Sequence, residues 1–290
     1  MKKLSKAYIY ALLSVFLWST VATAFKLGLK VLSPVYLILL ASFFSLLVFL
    51  LVILIQGRFR ELFTISLSGL AKSALLGLLN PFGYYLILFQ AYNLLPAQVA
   101  QPLNMIWPVT LALLSAPLLK QKITFRNIVA ILVSFVGVVF ISSQGSLSGI
   151  VNTNTTGVLL AVGSSIIWAL FWVLSVIDKR EETLKLFWNF AFGITYLIIA
   201  SLFFTDFSLP DIKALPAAIY IGFFELGFTY ILWMKAMQLS ENNAKTGNLI
   251  FLSPFLSLVF IHFILGETIY YTTFVGLVFI ISGIWYQQKK

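Results

Sequence analysis

The sequence contains no cysteine and few charged residues. Charged side chains make up 10% of its 290 residues, whereas soluble domains carry about 25%. So few charges cannot form a water-soluble surface, and most of the outer surface is therefore expected to face lipid. The absence of cysteine excludes disulfides and thiolate metal sites, but it says nothing about the compartment. No metal site or organic cofactor is recognisable in the sequence, and none is predicted.

Basic residues outnumber acidic ones by 19 to 9, which gives a net charge of +10. They occur singly between apolar runs and form no patch or stripe on a soluble face. Nucleic acid is therefore excluded as a partner. The partners that we expect are membrane lipid and a small-molecule substrate. The sequence leaves open whether the protein is a monomer or a homodimer.

Long apolar runs dominate the chain, and a membrane-spanning helix needs about 20 such residues. The candidate spans are residues 7–29, 34–55, 71–92, 97–119, 125–142, 157–177, 184–204, 214–237, 244–265 and 272–286. The sequence therefore predicts an all-α integral membrane protein with ten transmembrane helices. A polar segment, 143–156, separates a first five-helix half (1–142) from a second (157–290).

The basic residues also predict the orientation. With a cytoplasmic N-terminus, all but Lys26, Lys30 and Lys213 of the 19 basic residues lie on the inner side. Both termini are therefore predicted to be cytoplasmic and the linker 143–156 extracytoplasmic, in a bacterial inner membrane. The basic and apolar start of the chain resembles a signal peptide. Its apolar run is too long for one, so we interpret it as a retained first helix.

The two halves repeat each other at an offset of 145 to 150 residues. The matched positions are Ala11, Ser14 and Trp18 with Ala161, Ser164 and Trp168; Gly77, Tyr85, Ala91 and Leu94 with Gly222, Tyr230, Ala236 and Leu239; and Pro108, Leu119 and Gly137 with Pro254, Leu265 and Gly283. Because five is odd, the second copy enters the membrane from the opposite side. Inverted repeats of this kind place a binding site at their interface near the midplane.

Several short motifs resemble the EamA family of the drug/metabolite transporter superfamily. They are Leu-Gly-Glu-Thr at 265–268, the spacing of Gly276 and Gly283, Leu-Trp-Ser-Thr in the first helix, and Trp107-Pro108 in the fourth. The last two motifs are similar to those of amino-acid exporters. The resemblance covers the whole chain and implies secondary transport, commonly export, of amino acids or related metabolites.

The resemblance is incomplete at two positions. Gln121 stands where the family usually has Glu, and Ala130 stands where the second repeat has Gly276. These differences leave the substrate unspecified. In the family's Leu-Gly-Glu-Thr motif we expect Glu267 to cap the start of the last helix.

Glu225 lies about 11 residues from either end of the eighth span, at the centre of the bilayer. An acid at this depth costs several kcal/mol unless it faces a cavity or a partner. We predict either a proton acceptor or a counter-ion for a cationic group of the substrate. A hydrogen-bonded structural acid is the alternative. The position equivalent to Glu225 in the first repeat is Asn80, and Thr229 follows Glu225 by four residues.

The fourth span is interrupted by prolines and carries three amides. Pro102 and Pro108 each free the backbone carbonyl four residues earlier. Gln98, Gln101 and Asn104 recur at every third position. Because broken backbone at membrane depth is tolerated only against protein or a water-filled cavity, these amides are predicted to line the pathway. Alternatively, they bond to neighbouring helices.

Aromatic residues are the third feature, after Glu225 and the fourth span, that indicates a substrate site. Trp18 and Trp168 occupy matching mid-span positions, and Trp172 follows Trp168 on the same helical face. Together with Tyr84 they predict a pocket with aromatic walls, although packing explains such stripes equally well. The predicted substrate site comprises Trp18, Asn80, Tyr84, Gln98, Gln101, Asn104, Trp168, Trp172, Glu225 and Thr229, with Glu225 also the candidate for proton coupling.

The sequence therefore predicts a secondary transporter of a small zwitterionic or cationic metabolite, an amino acid or amine. We expect it to export this substrate by alternating access at a midplane site between the repeats. A flippase of a lipid-linked substrate remains open as an alternative. An intramembrane enzyme would need a nucleophile with a base, a carboxylate pair or a metal cluster, and no such set is recognisable.

Overall fold

The computed structural model describes residues 6–119, 125–146, 149, 152–204, 213, 215–240, 246 and 248–288, and within them all regular secondary structure is helical. The α-helices are α1 (Lys6–Leu29), α2 (Pro34–Ile55), α3 (Leu67–Gly77), α4 (Tyr84–Leu94), α5 (Ala97–Asn104), α6 (Trp107–Leu119), α7 (Phe125–Ser142), α8 (Thr155–Ile177), α9 (Glu182–Phe204), α10 (Leu215–Tyr220), α11 (Phe228–Leu239), α12 (Ser253–Leu265) and α13 (Tyr271–Gln288). Two π-helical segments, Leu78–Gly83 and Ile221–Gly227, join α3 to α4 and α10 to α11. Two 3-10 helices cover Phe59–Phe63 and Asn248–Leu252.

Among the described residues, seven helical stretches are long and apolar enough to cross a membrane. They are Lys6–Leu29, Pro34–Ile55, Leu67–Leu94, Phe125–Ser142, Thr155–Ile177, Glu182–Phe203 and Leu215–Leu239. Leu249–Leu265 and Tyr271–Tyr286 are shorter apolar helices. The fold is that of an all-α integral membrane protein.

The predicted span 97–119 is divided, because α5 ends at Asn104 and α6 begins at Trp107. A proline inside α5, Pro102, has no N–H to continue the helical ladder. Gln121, parts of the linker 143–156 and both ends of the chain lie outside the described residues.

The helices group into two compact units, each drawn from both halves of the chain. The first unit contains Met1–Phe82 and Arg180–Phe260, and the second contains Gly83–Lys179 and Ile261–Lys290. The predicted repeats, 1–142 and 157–290, were defined by matching sequence positions, whereas the two units are defined by contacts. The assignment of the repeats stays a prediction.

In the first unit, α2 packs against α9 and against the π-helical segment Ile221–Gly227, while α1 packs against α11. Glycines allow the contact of α2 with the π-helical segment and also the packing of α3 against α9. A Cβ on Gly222 would lie 2.5 Å from the carbonyl oxygen of Ala41, and one on Gly77 would collide with the carbonyl oxygen of Asn189. Small residues at such contacts let membrane helices pack closely and gain dispersion energy.

In the second unit, α7 packs along α13, and α8 packs against α4 and α6. Glycines also allow α7 and α13 to approach each other closely. A Cβ on Gly137 would lie 2.6 Å from the carbonyl oxygen of Gly276, and one on Gly283 would lie 2.9 Å from that of Ala130. About one turn after Gly137 on α7, the ring of Phe140 stacks on that of Phe279 with centroids 5.5 Å apart.

Glu267 does not cap the last helix, so that expectation was wrong. Its carboxylate accepts hydrogen bonds from the backbone N–H groups of Ala97 at 2.9 Å and Gln98 at 3.0 Å, at the start of α5. The first N–H groups of a helix have no partner within the helix and carry a partial positive charge. The carboxylate of Glu267, from a distant loop, therefore provides the acceptors for the first N–H groups of α5. The N-cap residue of this helix, Pro96, makes no side-chain hydrogen bond to them.

Candidate functional site

Three predicted site residues of the second unit belong to one contact network. Tyr84 stands at the start of α4, and its hydroxyl donates to Oδ1 of Asn104 at 3.1 Å. The amide of Asn104, at the end of α5, donates to the hydroxyl of Ser164 in α8 at 2.8 Å. Ser164 in turn donates to the carbonyl oxygen of Ala161 at 2.7 Å. The network fixes three helices to each other through neutral polar groups.

Trp168 extends this network with aromatic contacts. Its ring stacks on that of Tyr84, with centroids 4.5 Å apart and an interplanar angle of 27°. The ring of Phe171 is also nearly parallel to it, at 5.9 Å, and Trp172 meets it edge-on at 5.6 Å. Only 8% of Trp168 is exposed, whereas Trp172 is half-buried. Trp168 thus holds the neighbouring rings in place and offers little free surface of its own.

Gln98 is committed to contacts within the second unit. Its Oε1 accepts from the backbone N–H of Tyr270 at 3.2 Å and from the hydroxyl of Thr273 at 3.3 Å, and its Nε2 donates to the carbonyl oxygen of Thr268. The residue is 2% exposed. These contacts fit the alternative in which this amide bonds to a neighbouring helix and loop.

Gln101 differs from its two neighbours on α5. Its Oε1 is buried, and no donor in the described part of the chain reaches it. Buried acceptors without a partner are rare, because losing water without a replacement costs about 1–3 kcal/mol. A ligand or a water molecule that donates a hydrogen bond would satisfy this oxygen.

In the first unit, Glu225 lies within the π-helical segment Ile221–Gly227, in the middle of the span Leu215–Leu239. Its side chain is 8% exposed. Short π-helical segments inside α-helices are frequent at functional sites. Thr229 is fully buried, and its hydroxyl donates to the carbonyl oxygen of Phe224 in the same segment. Thr229 therefore stabilises the widened turn that carries Glu225.

Asn80 lies in the other π-helical segment, Leu78–Gly83, where its backbone is extended with φ −150° and ψ 121°. The residue is fully buried, and its Nδ2 donates to the hydroxyl of Tyr230 at 3.3 Å. Its Oδ1 has no donor among the residues that the structure describes. Asn80 therefore offers a second buried acceptor.

Trp18, half-buried on α1, contacts Trp233 of α11 with ring centroids 5.3 Å apart. Two residues after Trp18, the hydroxyl of Thr20 bonds to that of Tyr220 at 2.6 Å. Sequence reasoning did not single out Trp233 or Tyr220. Trp233 follows Glu225 by eight residues, a spacing that returns to the same helical face and could have identified it.

No group of three or more His, Cys, Asp or Glu side chains in the described residues is arranged to hold a metal ion. The predicted residues thus form two sets. The second unit joins Tyr84, Asn104, Trp168 and Trp172 and leaves Gln101 with an open acceptor. The first unit holds Asn80 and Glu225 in matching π-helical segments and pairs Trp18 with a second indole.

Comparison with known proteins gives consistent matches. The model of the EamA-like transporter family matches residues 5–143 and 155–286. A protein of Archaeoglobus fulgidus described as an uncharacterized transporter is 22% identical over 98% of this chain and 99% of its own. An uncharacterized transporter of Clostridium kluyveri is 33% identical, but the alignment covers 57% of this chain and 55% of that protein. The uncharacterized transporter YyaM of Bacillus subtilis is 26% identical over 76% of this chain and 75% of its own.

A solved crystal structure shares the fold. It aligns with a TM-score of 0.69 over 97% of this chain and 96% of its own, at 18% sequence identity. At this identity the likeness concerns the fold alone.

Proposed function

The chain is a member of the EamA-like transporter family, and we propose that it is a secondary transporter of a small zwitterionic or cationic metabolite. The substrate class is an amino acid or amine, and the expected direction is export. Membership establishes a membrane transporter. We infer alternating access to a central site from the symmetry of the chain.

The buried carboxyl group of Glu225 carries this proposal. It lies in the middle of a 25-residue apolar span and is 8% exposed. Desolvating a carboxylate at this depth is costly unless a cation compensates it or a proton neutralises it. A substrate with an ammonium group would bring a cation to this carboxylate, in addition to the contacts that Glu225 makes within the protein. The half-buried indole of Trp18, in the same unit, would add a cation–π contact worth about 1 kcal/mol.

The open amide acceptors fit a substrate that donates hydrogen bonds, as an amino acid or amine does. Oε1 of Gln101 and Oδ1 of Asn80 are buried and lack a donor within the described residues. Both accept hydrogen bonds only, and an ammonium or amine group donates them. A substrate without N–H or O–H donors would leave these oxygens unsatisfied. In the first unit, we propose that Asn80 contacts the substrate and that Thr229 holds the segment of Glu225 in shape. In the second unit, we propose Gln101 as a substrate contact of its own, with Gln98, Asn104 and Trp168 as the framework around it.

We further propose ten transmembrane helices in two inverted five-helix repeats. The family match falls in two segments, one in each half. The contacts of equivalent glycines support the same symmetry: Gly77 meets the backbone of Asn189, and Gly222 meets that of Ala41. The π-helical segments of Asn80 and Glu225 also correspond. On this topology the basic residues favour cytoplasmic termini, in the inner membrane of a bacterium.

The test is transport in proteoliposomes, with labelled amino acids, amines and sugars supplied on either side. A prior thermal-shift screen selects ligands, because a ligand that binds the folded state raises its stability by mass action. We expect stabilisation and saturable flux for amine-bearing compounds. Glu225→Gln should abolish this selectivity, while Lys72→Gln, which removes an exposed charge on α3, should leave it intact. Equal flux of neutral sugars would refute the substrate class.

A further inference from the structure

A cavity of about 350 Å³ lies in the first unit, where the segment after α2 meets the start of α9. It is separate from the membrane-centre residues described above. Its walls include Arg58, Glu61, Arg180, Glu181, Lys185 and Trp188. The cavity therefore combines charged side chains with an indole, in a region where the chain enters and leaves its apolar spans.

One wall is a preformed ion-pair network. Arg58 binds Glu61 in a bidentate manner, through Nε at 2.8 Å and Nη2 at 2.7 Å, and its Nη1 reaches Glu181 at 3.1 Å. The hydrogen bond from Arg58 holds the pKa of Glu61 below its usual range, and the same bond raises the pKa of Arg58. Arg58 thus compensates both carboxylates of the wall through direct contacts, and they do not require a cationic ligand.

The other wall presents donors. The guanidinium of Arg180 donates from Nη2 to the hydroxyl of Ser73 at 2.9 Å. The indole Nε1 of Trp188 is buried and has no acceptor among the described residues. A buried indole N–H normally finds an acceptor. Lys185, with a side chain that is 1% exposed, binds Glu182 at 2.8 Å behind this wall, and the two form a compensated ion pair.

Exposed apolar side chains lie beside the cavity. The 3-10 helix Phe59–Phe63 contributes Glu61 to the wall. The same helix exposes Phe59 by 43% and Phe63 by 75%, and Leu67 at the start of α3 is 85% exposed. Large apolar side chains exposed next to charged ones are typical of segments that lie at a membrane surface. The feature points to a ligand with a polar head and apolar chains.

We propose that this cavity binds the phosphodiester headgroup of a glycerophospholipid. The phosphate oxygens accept from the indole N–H of Trp188 and from the guanidinium of Arg180, and the acyl chains lie against Phe59, Phe63 and Leu67. With Glu182, which pairs with Lys185, the charged side chains at the cavity balance, so the phosphodiester is held by the N–H donors of Trp188 and Arg180 and not by an excess of positive charge. The site shares no residue with the proposed substrate site. A lipid bound there would contact the segment after α2 and the start of α9.

The experiment is native mass spectrometry of the delipidated full-length protein in detergent. Dioleoylphosphatidylglycerol, dioleoylglycerol and glycerol phosphate are titrated separately, so that headgroup and chains are tested apart. The variants are Trp188→Phe, which removes only the indole N–H donor, and Arg180→Gln. Their matched controls are Trp285→Phe, at an exposed tryptophan of α13, and Lys72→Gln.

We expect saturable binding of one phosphatidylglycerol, weakened about tenfold or more in Arg180→Gln and about threefold or more in Trp188→Phe, with both controls unchanged. Dioleoylglycerol and glycerol phosphate should each bind at least about tenfold more weakly. If dioleoylglycerol binds as tightly as phosphatidylglycerol, the site recognises only apolar chains and the proposal is wrong. Equal binding of glycerol phosphate would make it a soluble-phosphate site. Unchanged binding in both variants also overturns the proposal. If Arg180→Gln does not fold, Trp188→Phe decides alone.

Discussion

The side-chain amide of Asn104 donates a hydrogen bond to the hydroxyl of Ser164 at 2.8 Å. This bond joins the end of α5 to the middle of α8, and the bond from Tyr84 at 3.1 Å occupies the carbonyl oxygen of the same amide. Gln101, one turn earlier on α5, has a buried Oε1 that no described residue reaches. Two amides on one helix thus have different roles, one in the framework and one available to a ligand.

The pair Asn104→Leu and Gln101→Leu separates these roles. Asn104→Leu breaks two hydrogen bonds and should lower the free energy of unfolding by about 1–2 kcal/mol. Gln101→Leu removes an unsatisfied acceptor and should leave stability unchanged or slightly higher. Its substrate affinity should nevertheless fall at least about fivefold. Thermal unfolding in detergent and ligand binding by calorimetry measure both quantities. If Gln101→Leu binds substrate normally, that amide does not contact the ligand.

Trp168 should prove to be a packing residue. It contacts Tyr84, Phe171 and Trp172 and is only 8% exposed. Trp168→Ala should destabilise the protein by about 3–5 kcal/mol, whereas Trp168→Phe keeps part of the ring contact and should cost clearly less. Substrate affinity of Trp168→Phe should remain within about threefold of the original. A large loss of affinity at normal stability would instead indicate direct contact with substrate.

Sequence reasoning located the seven stretches that are long and apolar enough to cross a membrane in the described structure, because a length of about 20 apolar residues is a local property. It could not decide which of the three amides of α5 contact substrate and which bond to other helices, because all three have the same chemistry and regular spacing. Their partners are Ser164, 60 residues away, and Thr273, 175 residues from Gln98. The same limit explains Glu267, whose carboxylate caps a helix 170 residues earlier in the chain. Contacts between distant segments decide these roles, and local pattern does not contain them.

The matched glycines Gly77 and Gly222 should both be intolerant of a side chain. A Cβ at either position collides with a backbone carbonyl, which cannot move aside as a side chain can. Gly77→Ala and Gly222→Ala should each cost about 1–3 kcal/mol of stability.

Gly163→Ala is the control, because a Cβ there meets nothing within 4 Å. It should stabilise α8 by up to about 1 kcal/mol. Thermal unfolding of the three variants in the same detergent gives the comparison. Similar stability of all three would show that the two helix contacts are looser than described.

The absence of native cysteine allows a clean test of orientation. Arg60 and Ser146 are both exposed, and the charge distribution predicts a cytoplasmic Arg60 and an extracytoplasmic Ser146. In intact cells, an impermeant thiol reagent should label Ser146→Cys and spare Arg60→Cys, and permeabilised cells should label both. The reverse pattern would invert the proposed topology.

Glu225→Gln tests the charge at the membrane centre. The substitution preserves the shape of a side chain that is 8% exposed, and it removes the group that a cationic substrate would meet. Affinity for an amine-bearing substrate should fall more than about tenfold, or 1.4 kcal/mol, because an ammonium would then be desolvated against a neutral amide. The loss should exceed that of Trp18→Ala, since a cation–π contact contributes about 1 kcal/mol.

Affinities of the wild type and of Glu225→Gln are measured at several pH values. Unchanged affinity, with only the pH dependence of transport lost, would reassign Glu225 to proton coupling and remove the argument for a cationic substrate.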